Sequence, residues 1–198
     1  MSTLPSIKTS RLLLRPIRMQ DAACLFEYAK MPHIGPLAGW LPHESIDSVR
    51  AFIKYSIDKQ KHGQPGVFAV CETGQDCLIG TIEVHSFQKN YKGAIGMVLH
   101  PNYWNRGYME EASLAVMVYA FEILNIKRLV YSHFLENQAS RRLREKLGFT
   151  VEGLARNAYM MPDGTIKDEI VASFTDDDYY IRDYHRFLQV KKQLVFVE

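Results

Sequence analysis

Between residues 101 and 112 the chain reads PNYWNRGYMEEA, and three neighbours in it, Asn105, Arg106 and Gly107, are of types suited to holding an anion. The apolar run before it (about 94–99) has strand character and the run after it is helical. The segment therefore sits where a strand hands over to a helix beginning near Gly107. The first N–H groups of a helix have no internal partners, and the helix dipole adds partial positive charge there. Such an end accepts phosphate readily. Gly107 has no Cβ, so a ligand can approach its backbone closely, while Arg106 adds a cation and Asn105 a side-chain donor. A plain turn with an exposed arginine accounts for the same three residues.

Other candidates lie further off. Asn137 and Ser140 form an N-x-x-S pattern that opens a helix; as an N-cap, Asn137 would satisfy an orphan N–H. Glu83 and His85, in TIEVHSF, share one face of a strand by alternation. A half-buried carboxylate there could take a proton directly or through water, and equally Glu83 could face solvent. Asp168 has a turn or structural role as its alternative. Glu110 and Glu111 suit the first turn of a helix through its dipole. Tyr159, Tyr179, Tyr180 and Tyr184 are read as packing residues. Cys24, Cys71 and Cys77 are an odd count at spacings that suit neither a disulfide framework nor a four-ligand zinc site, and are expected to be reduced, mostly buried thiols.

The elements that must position these residues follow from periodicity. Helical spacing marks 20–30 and 45–61, with a Pro- and Gly-rich loop over 31–44. GVFAVCE, CLIGTIEVHSF and GAIGMVLH are short β-rich runs separated by turns, expected to be neighbouring antiparallel strands. EEASLAVMVYAFEIL is a helix, KRLVYSHF a strand, ENQASRRLREKLGF a helix closed by Gly148, and FTVEGLARNAYMM and IKDEIVASF are two further strands. The tail 176–198 begins with three aspartates and ends with lysines, an order that suits a terminal helix. Nothing repeats and no linker divides residues 1–198, so one domain with a helical tail is expected. With 47% hydrophobic and 23% charged residues and a net charge of +2, the 198-residue chain reads as soluble and globular, with no nucleic-acid or membrane footprint. No apolar run approaches a bilayer span, and the N-terminus lacks a secretory pattern, so a cytoplasmic location is expected.

SRLLLRPIRMQDAACLFEY, LIGTI, AIGMVLHPNYWNRGYMEEA and ENQASRRLREKLGF, in that order, resemble the GNAT acetyltransferases, and most of all the RimJ/RimL group of ribosomal-protein N-terminal acetyltransferases. The resemblance spans about residues 8–175. It implies an α/β fold with a mixed, mostly antiparallel, curved sheet, helices on both faces, and central strands that splay to admit acetyl-CoA. Carried over by position, Met97, Val98 and Leu99 would offer backbone to the pantetheine, and Asn105, Arg106, Gly107, Tyr108 and Met109 would supply amides to the pyrophosphate. Asn137 would touch the cofactor, and Ser140 resembles the donor proposed for the departing thiolate. Two positions depart from the pattern: Met109 replaces a small residue and is expected to crowd the phosphate amides, and Asn105 stands where glycine is common.

Acetyl transfer to an amine needs a neutral amine, a polarised carbonyl and a stabilised thiolate. Ser140 and Glu83 are the catalytic candidates, and no metal is implied. A peptide α-amine has a pKa near ~8 against ~10.4 for lysine, a gap worth about 3 kcal/mol. With the RimJ/RimL resemblance, this favours a protein or peptide N-terminus as acceptor; a small-molecule amine (polyamine, aminoglycoside or amino-acid derivative) and a non-catalytic acyl-CoA sensor are the alternatives. A basic recognition helix at QASRRLREKLGF is disfavoured, because Leu143 and Leu147 make one face apolar and a strand precedes it. No nucleic acid or membrane partner is expected, and a homodimer is left open.

Overall fold

Alternation decides how the central strands bury both faces. In the computed structural model, which describes residues 4–197, Phe68 and Val70 point into one core and Val67, Ala69 and Cys71 into the other. The sheet that separates these cores begins with β1 (Ser6–Lys8) and β2 (Leu12–Pro16). Three helices follow, α1 (Ala22–Ala29), α2 (Gly35–Ala38) and α3 (Ile46–Lys61). Next come β3 (Val67–Glu72), β4 (Leu78–Gln88) and β5 (Lys92–Leu99). The chain continues through α4 (Tyr108–Val118), β6 (Arg128–Phe134) and α5 (Gln138–Leu147). It ends with β7 (Thr150–Met160), β8 (Ile166–Thr175), α6 (Tyr184–Lys191) and β9 (Val195–Val197).

The nine strands form one sheet in the order β7-β8-β6-β5-β4-β3-β2-β1-β9. Every pairing is antiparallel except that of β5 with β6, which is parallel. That parallel pairing is short: it covers Lys92–Ala94 against Arg128–Val130 and stops. From Ile95 to Leu99, β5 is bonded to β4 alone, so its other edge carries backbone groups with no strand partner. α1 and α3 cover one face through Leu25, Tyr28, Val49 and Ile53. α4, α5 and α6 cover the other through Val116, Met117, Leu147 and Phe187. Among the described residues, no helix is long and apolar enough to cross a membrane.

The structure departs from the sequence-based expectations in four places. The loop 31–44 contains the short helix α2, opened by Pro36 and ended by Gly39. α4 stops at Val118 and gives way to a π-helical turn over Tyr119–Ile123. The tail is helical only in part: Val195–Val197 pairs antiparallel with β1, because the chain after α6 returns to the far edge of the sheet. Finally, Cys24 and Cys77 form a disulfide, leaving only Cys71 free and buried. Their separation of 53 residues hides the fact that α1 packs beside the turn before β4.

Candidate active site

Where β5 and β6 part, a cavity of about 1320 Å³ opens, lined by Gly96–Leu99, by Asn105, Gly107 and Tyr108 but not Arg106, and by Asn137 and Ser140. Pockets for one drug-sized ligand run to about 1,000 Å³, so this cavity has room for two reactants. The cofactor-side candidates Met97, Val98, Leu99, Asn105, Gly107, Tyr108, Met109 and Asn137 line it, as do Ser140, Glu83 and His85. The Met97 side chain turns away toward α4, where Ser113 Oγ donates to its sulfur at 3.6 Å. Val98 packs into the opposite core. What these residues turn toward the cavity is therefore mostly backbone, and the Leu99 carbonyl already accepts the Trp104 indole N–H at 2.8 Å.

The loop is bent by two left-handed residues, Asn105 at φ 59° and Gly107 at φ 76°. Asn tolerates this region better than most residues, and glycine enters it without penalty. Gly107 is the N-cap of α4, and no side chain caps that end. Arg106 is exposed, with its guanidinium 5.6 Å from the Tyr103 ring centroid. Arg142 and Lys146 of α5 line the same opening, so its rim is basic. Met109 does not crowd these amides. Its side chain is 8% exposed and belongs to the main core, because the second position of α4 points inward.

A clamp that sequence reading missed holds this loop in place. Glu111 accepts hydrogen bonds from Thr9 Oγ1 at 2.5 Å, Ser10 Oγ at 3.0 Å, the Arg11 backbone N–H at 3.0 Å and Arg11 Nε at 2.6 Å. Arg11 also donates to the Arg106 carbonyl at 2.9 Å and lies 4.7 Å over the Tyr108 ring. Tyr108 Oη in turn donates to Glu72 of β3 at 2.5 Å. Burial works to raise the Glu111 carboxyl, but the bonds from Thr9, Arg11 and Ser10 outweigh it and hold the pKa below the ordinary value. Glu111 is thus a structural anchor as well as a favourable charge in the first turn of α4. Glu110 pairs with Lys146 at 3.2 Å.

Asn137 is the N-cap of α5: its Oδ1 accepts the Ser140 N–H at 3.0 Å. Its Nδ2 donates to the Leu37 carbonyl at 3.0 Å, fastening α2 over the cavity. Ser140 Oγ shares a hydrogen bond of 2.8 Å with Tyr131 Oη, which also donates to the Ser140 carbonyl at 3.2 Å. Burial pushes the Tyr131 phenol up to about 12, against a lowering by its bond to Ser140, so it stays protonated at neutral pH. Tyr131 was not singled out in the sequence; nine residues and a turn separate it from its partner.

Glu83 and His85 do share a face, and both stand over Gly96, where a Cβ would come within 3.1 Å of the His85 ring. Burial lowers the His85 pKa although Glu83 pulls it upward. Asp168 lies elsewhere: it accepts the Asn157 N–H at 2.7 Å, where Asn157 takes a left-handed φ of 52°. Tyr179 packs against Phe121 and Phe187, whereas Tyr159 lines the cavity.

An open strand edge thus lies beside a basic loop at a helix start, with a hydroxyl pair and a carboxylate–imidazole pair around the same cavity. Residues 11–150 match the acetyltransferase (GNAT) domain, and the chain belongs to that family. The uncharacterized N-acetyltransferase YoaA of Bacillus subtilis (strain 168) is 33% identical over 172 residues, covering 85% of this chain and 96% of YoaA. The ribosomal protein uS5-alanine N-acetyltransferase of Escherichia coli (strain K12) is 26% identical, over 90% of this chain and 95% of that protein. A GNAT-family acetyltransferase from Bacillus anthracis superposes with a TM-score of 0.77 at 25% identity, covering 87% of this chain and 99% of that one. The protein is therefore a GNAT N-acetyltransferase, and acetyl-CoA is the donor this family uses.

Proposed function

We propose that the protein moves an acetyl group from acetyl-CoA to the N-terminal α-amine of a protein or peptide, by direct attack with both reactants bound. The observation that carries this is the unpaired edge of β5 from Ile95 to Leu99, which ends in the same cavity as the Ser140–Tyr131 pair and Glu83. The relationship to the uS5-alanine enzyme supports a protein N-terminus as acceptor.

In this reading the free N–H and C=O groups of β5 pair with the amide groups of the pantetheine arm, and the N–H groups of 105–109 with the pyrophosphate. Ser140 donates its hydroxyl proton toward the departing sulfur while Tyr131 donates to Ser140, and the N-terminus of α5 adds partial positive charge. Glu83, through water or directly, takes the proton that the amine must lose. An α-amine needs less help here than a lysine, whose higher pKa adds about 3 kcal/mol.

The test is CoA release with a mixed panel: alanine-led and serine-led tripeptides, the same peptides N-blocked with a free lysine, spermidine and an aminoglycoside. Mass spectrometry should find label chiefly on the free N-termini. Label on lysine, spermidine or the aminoglycoside would overturn the acceptor and leave the donor standing.

A further inference from the structure

The acceptor half of the cavity holds a carboxylate that neither the cofactor loop nor the Ser140–Tyr131 pair uses. Glu169, on β8, stands opposite Phe134 of β6 and Ala155 of β7, and so on the same side of the sheet as Phe134. It lines the cavity with Phe134, Tyr159 and Trp40. Phe134 and Tyr159 pack edge to face at 5.3 Å, and Tyr159 Oη donates to the Gly39 carbonyl at 2.7 Å. That bond holds the segment after α2, with Trp40, against β7. The wall is therefore built from four elements and fixed by named contacts.

Among the described residues, Glu169 has no counter-ion. Burial raises its pKa, and no charged neighbour offsets the effect. Lys167 is two residues along the same face, but its ammonium bonds the Glu136 carboxylate at 2.6 Å and the Pro36 carbonyl at 3.1 Å. The other carboxylates of the cavity are differently placed: Glu110 is paired with Lys146, and Glu83 stands with His85 over Gly96 on β5. A half-buried carboxylate gains most from a ligand that brings a positive charge and N–H donors. The Phe134 ring already carries the Lys167 ammonium 4.7 Å from its centroid, so of the aromatic lining Trp40 and Tyr159 remain to favour a cation further.

We propose that Glu169 receives the acceptor's amine in its ammonium form, in a recess walled by Trp40, Phe134 and Tyr159, and so selects cationic amines over alcohols and N-blocked peptides. The proposal rests on the protein being an amine acetyltransferase and specifies how that acceptor is recognised. Glu169 binds the amine; the later loss of its proton is a separate step.

Binding to the CoA-saturated protein tests this without turnover. The probes are an alanine-led tripeptide amide, its N-acetylated form and spermidine, titrated by NMR into wild type, Glu169→Gln and Glu83→Gln. Loss of one charge-assisted contact predicts that Glu169→Gln weakens the free-amine probe roughly ten- to a hundredfold. Glu83→Gln should weaken it less than about threefold, and the N-acetylated peptide should not bind wild type. An unchanged CoA Kd in both variants shows that each is folded. Binding of the free-amine probe by Glu169→Gln within twofold of wild type would overturn the proposal, as would an equal loss in Glu83→Gln or the absence of any amine binding to wild type. Glu169-dependent binding of spermidine but not of the tripeptide would uphold it and overturn the α-amine reading instead.

Discussion

Replacing Glu111 by glutamine keeps the shape of the clamp and removes its charge. The Glu111 side chain is 16% exposed, and its two oxygens accept four hydrogen bonds, three on Oε1 and one on Oε2. In Glu111→Gln the amide oxygen can keep the bonds from Thr9, Ser10 and the Arg11 N–H, now between neutral groups. The amide nitrogen would face Arg11 Nε, donor against donor. Bonds to charged groups contribute about 1.5–3 kcal/mol and neutral ones about 1 kcal/mol. Because the Arg11 side chain is 46% exposed, its contact belongs at the low end. The expected loss is about 2 kcal/mol at pH 7. The folded-state pKa of Glu111 is depressed, so its contribution is fully present above the unfolded carboxylate value of about 4.3 and is lost as pH falls through the lower folded value. Urea unfolding should show the gap between wild type and variant at pH 7 and its shrinkage below about pH 4. Calorimetry should show acetyl-CoA Kd raised several-fold, since Arg11 no longer fixes the Arg106 carbonyl. Equal stabilities at pH 7, a gap that persists unchanged to pH 3, or an unaltered Kd would refute the reasoning.

Three further outcomes are expected. Gly107→Ala forces a Cβ into a left-handed backbone at about 1–2 kcal/mol, and should weaken acetyl-CoA binding in a folded protein; calorimetry showing native affinity would count against the loop as the phosphate site. Ser140→Ala should lower kcat about ten- to a thousandfold at near-constant donor Kd, with a smaller effect from Tyr131→Phe, which removes only the supporting hydroxyl; equal kcat in Ser140→Ala and wild type would reduce Ser140 to a helix-start residue. Cys24→Ser opens a loop of 53 residues and should lower stability by up to about 4 kcal/mol under oxidising conditions and by almost nothing under reducing ones; the same loss in both would show that packing, and not the crosslink, is responsible. In a reducing cytoplasm this bond would be open, so the difference bears directly on where the protein works.

Local pattern explains what could be seen in the sequence. Thr81 to His85 alternates polar and apolar, which places Glu83 and His85 on one face, and Gly148 is legible as a helix stop because a left-handed glycine, here at φ 84°, closes α5. The missed features all join positions far apart in the chain. Arg11 and Glu111 are 100 residues apart and meet only because α4 lies along β2. Cys24 and Cys77 meet across α1 and a turn. Glu169 lies on a strand that periodicity marks, but its exposure to the cavity depends on β6 being its neighbour, which no period in the sequence records. The Met109 side chain, expected to crowd the phosphate amides, is instead claimed by the inward face of α4, which leaves its backbone N–H as a candidate for the phosphate.

The opening itself has a local physical origin. The pairing of β4 with β5 slips between His85 and Gln88, and Ser86 there takes a left-handed φ of 49°. Bulges bend the strand that carries them and add to the right-handed twist of the sheet. This one lies opposite Lys92–Ala94, the three residues to which the pairing of β5 with β6 is confined. Beyond it β5 stays with β4, while β6 from Tyr131 to Phe134 stays with β8, so the two halves of the sheet are held by different partners and separate. Unpaired backbone groups in a half-buried cleft cost about 1–3 kcal/mol each unless something bonds them. In the proposed reading a ligand arm with its own amides would supply those bonds, and the bulge at Ser86, on the acceptor side, would then be a condition for donor binding. Proline is barred from that slip by the positive φ, and a β-branched residue there would be strained, so the bulge favours a small polar residue such as Ser86.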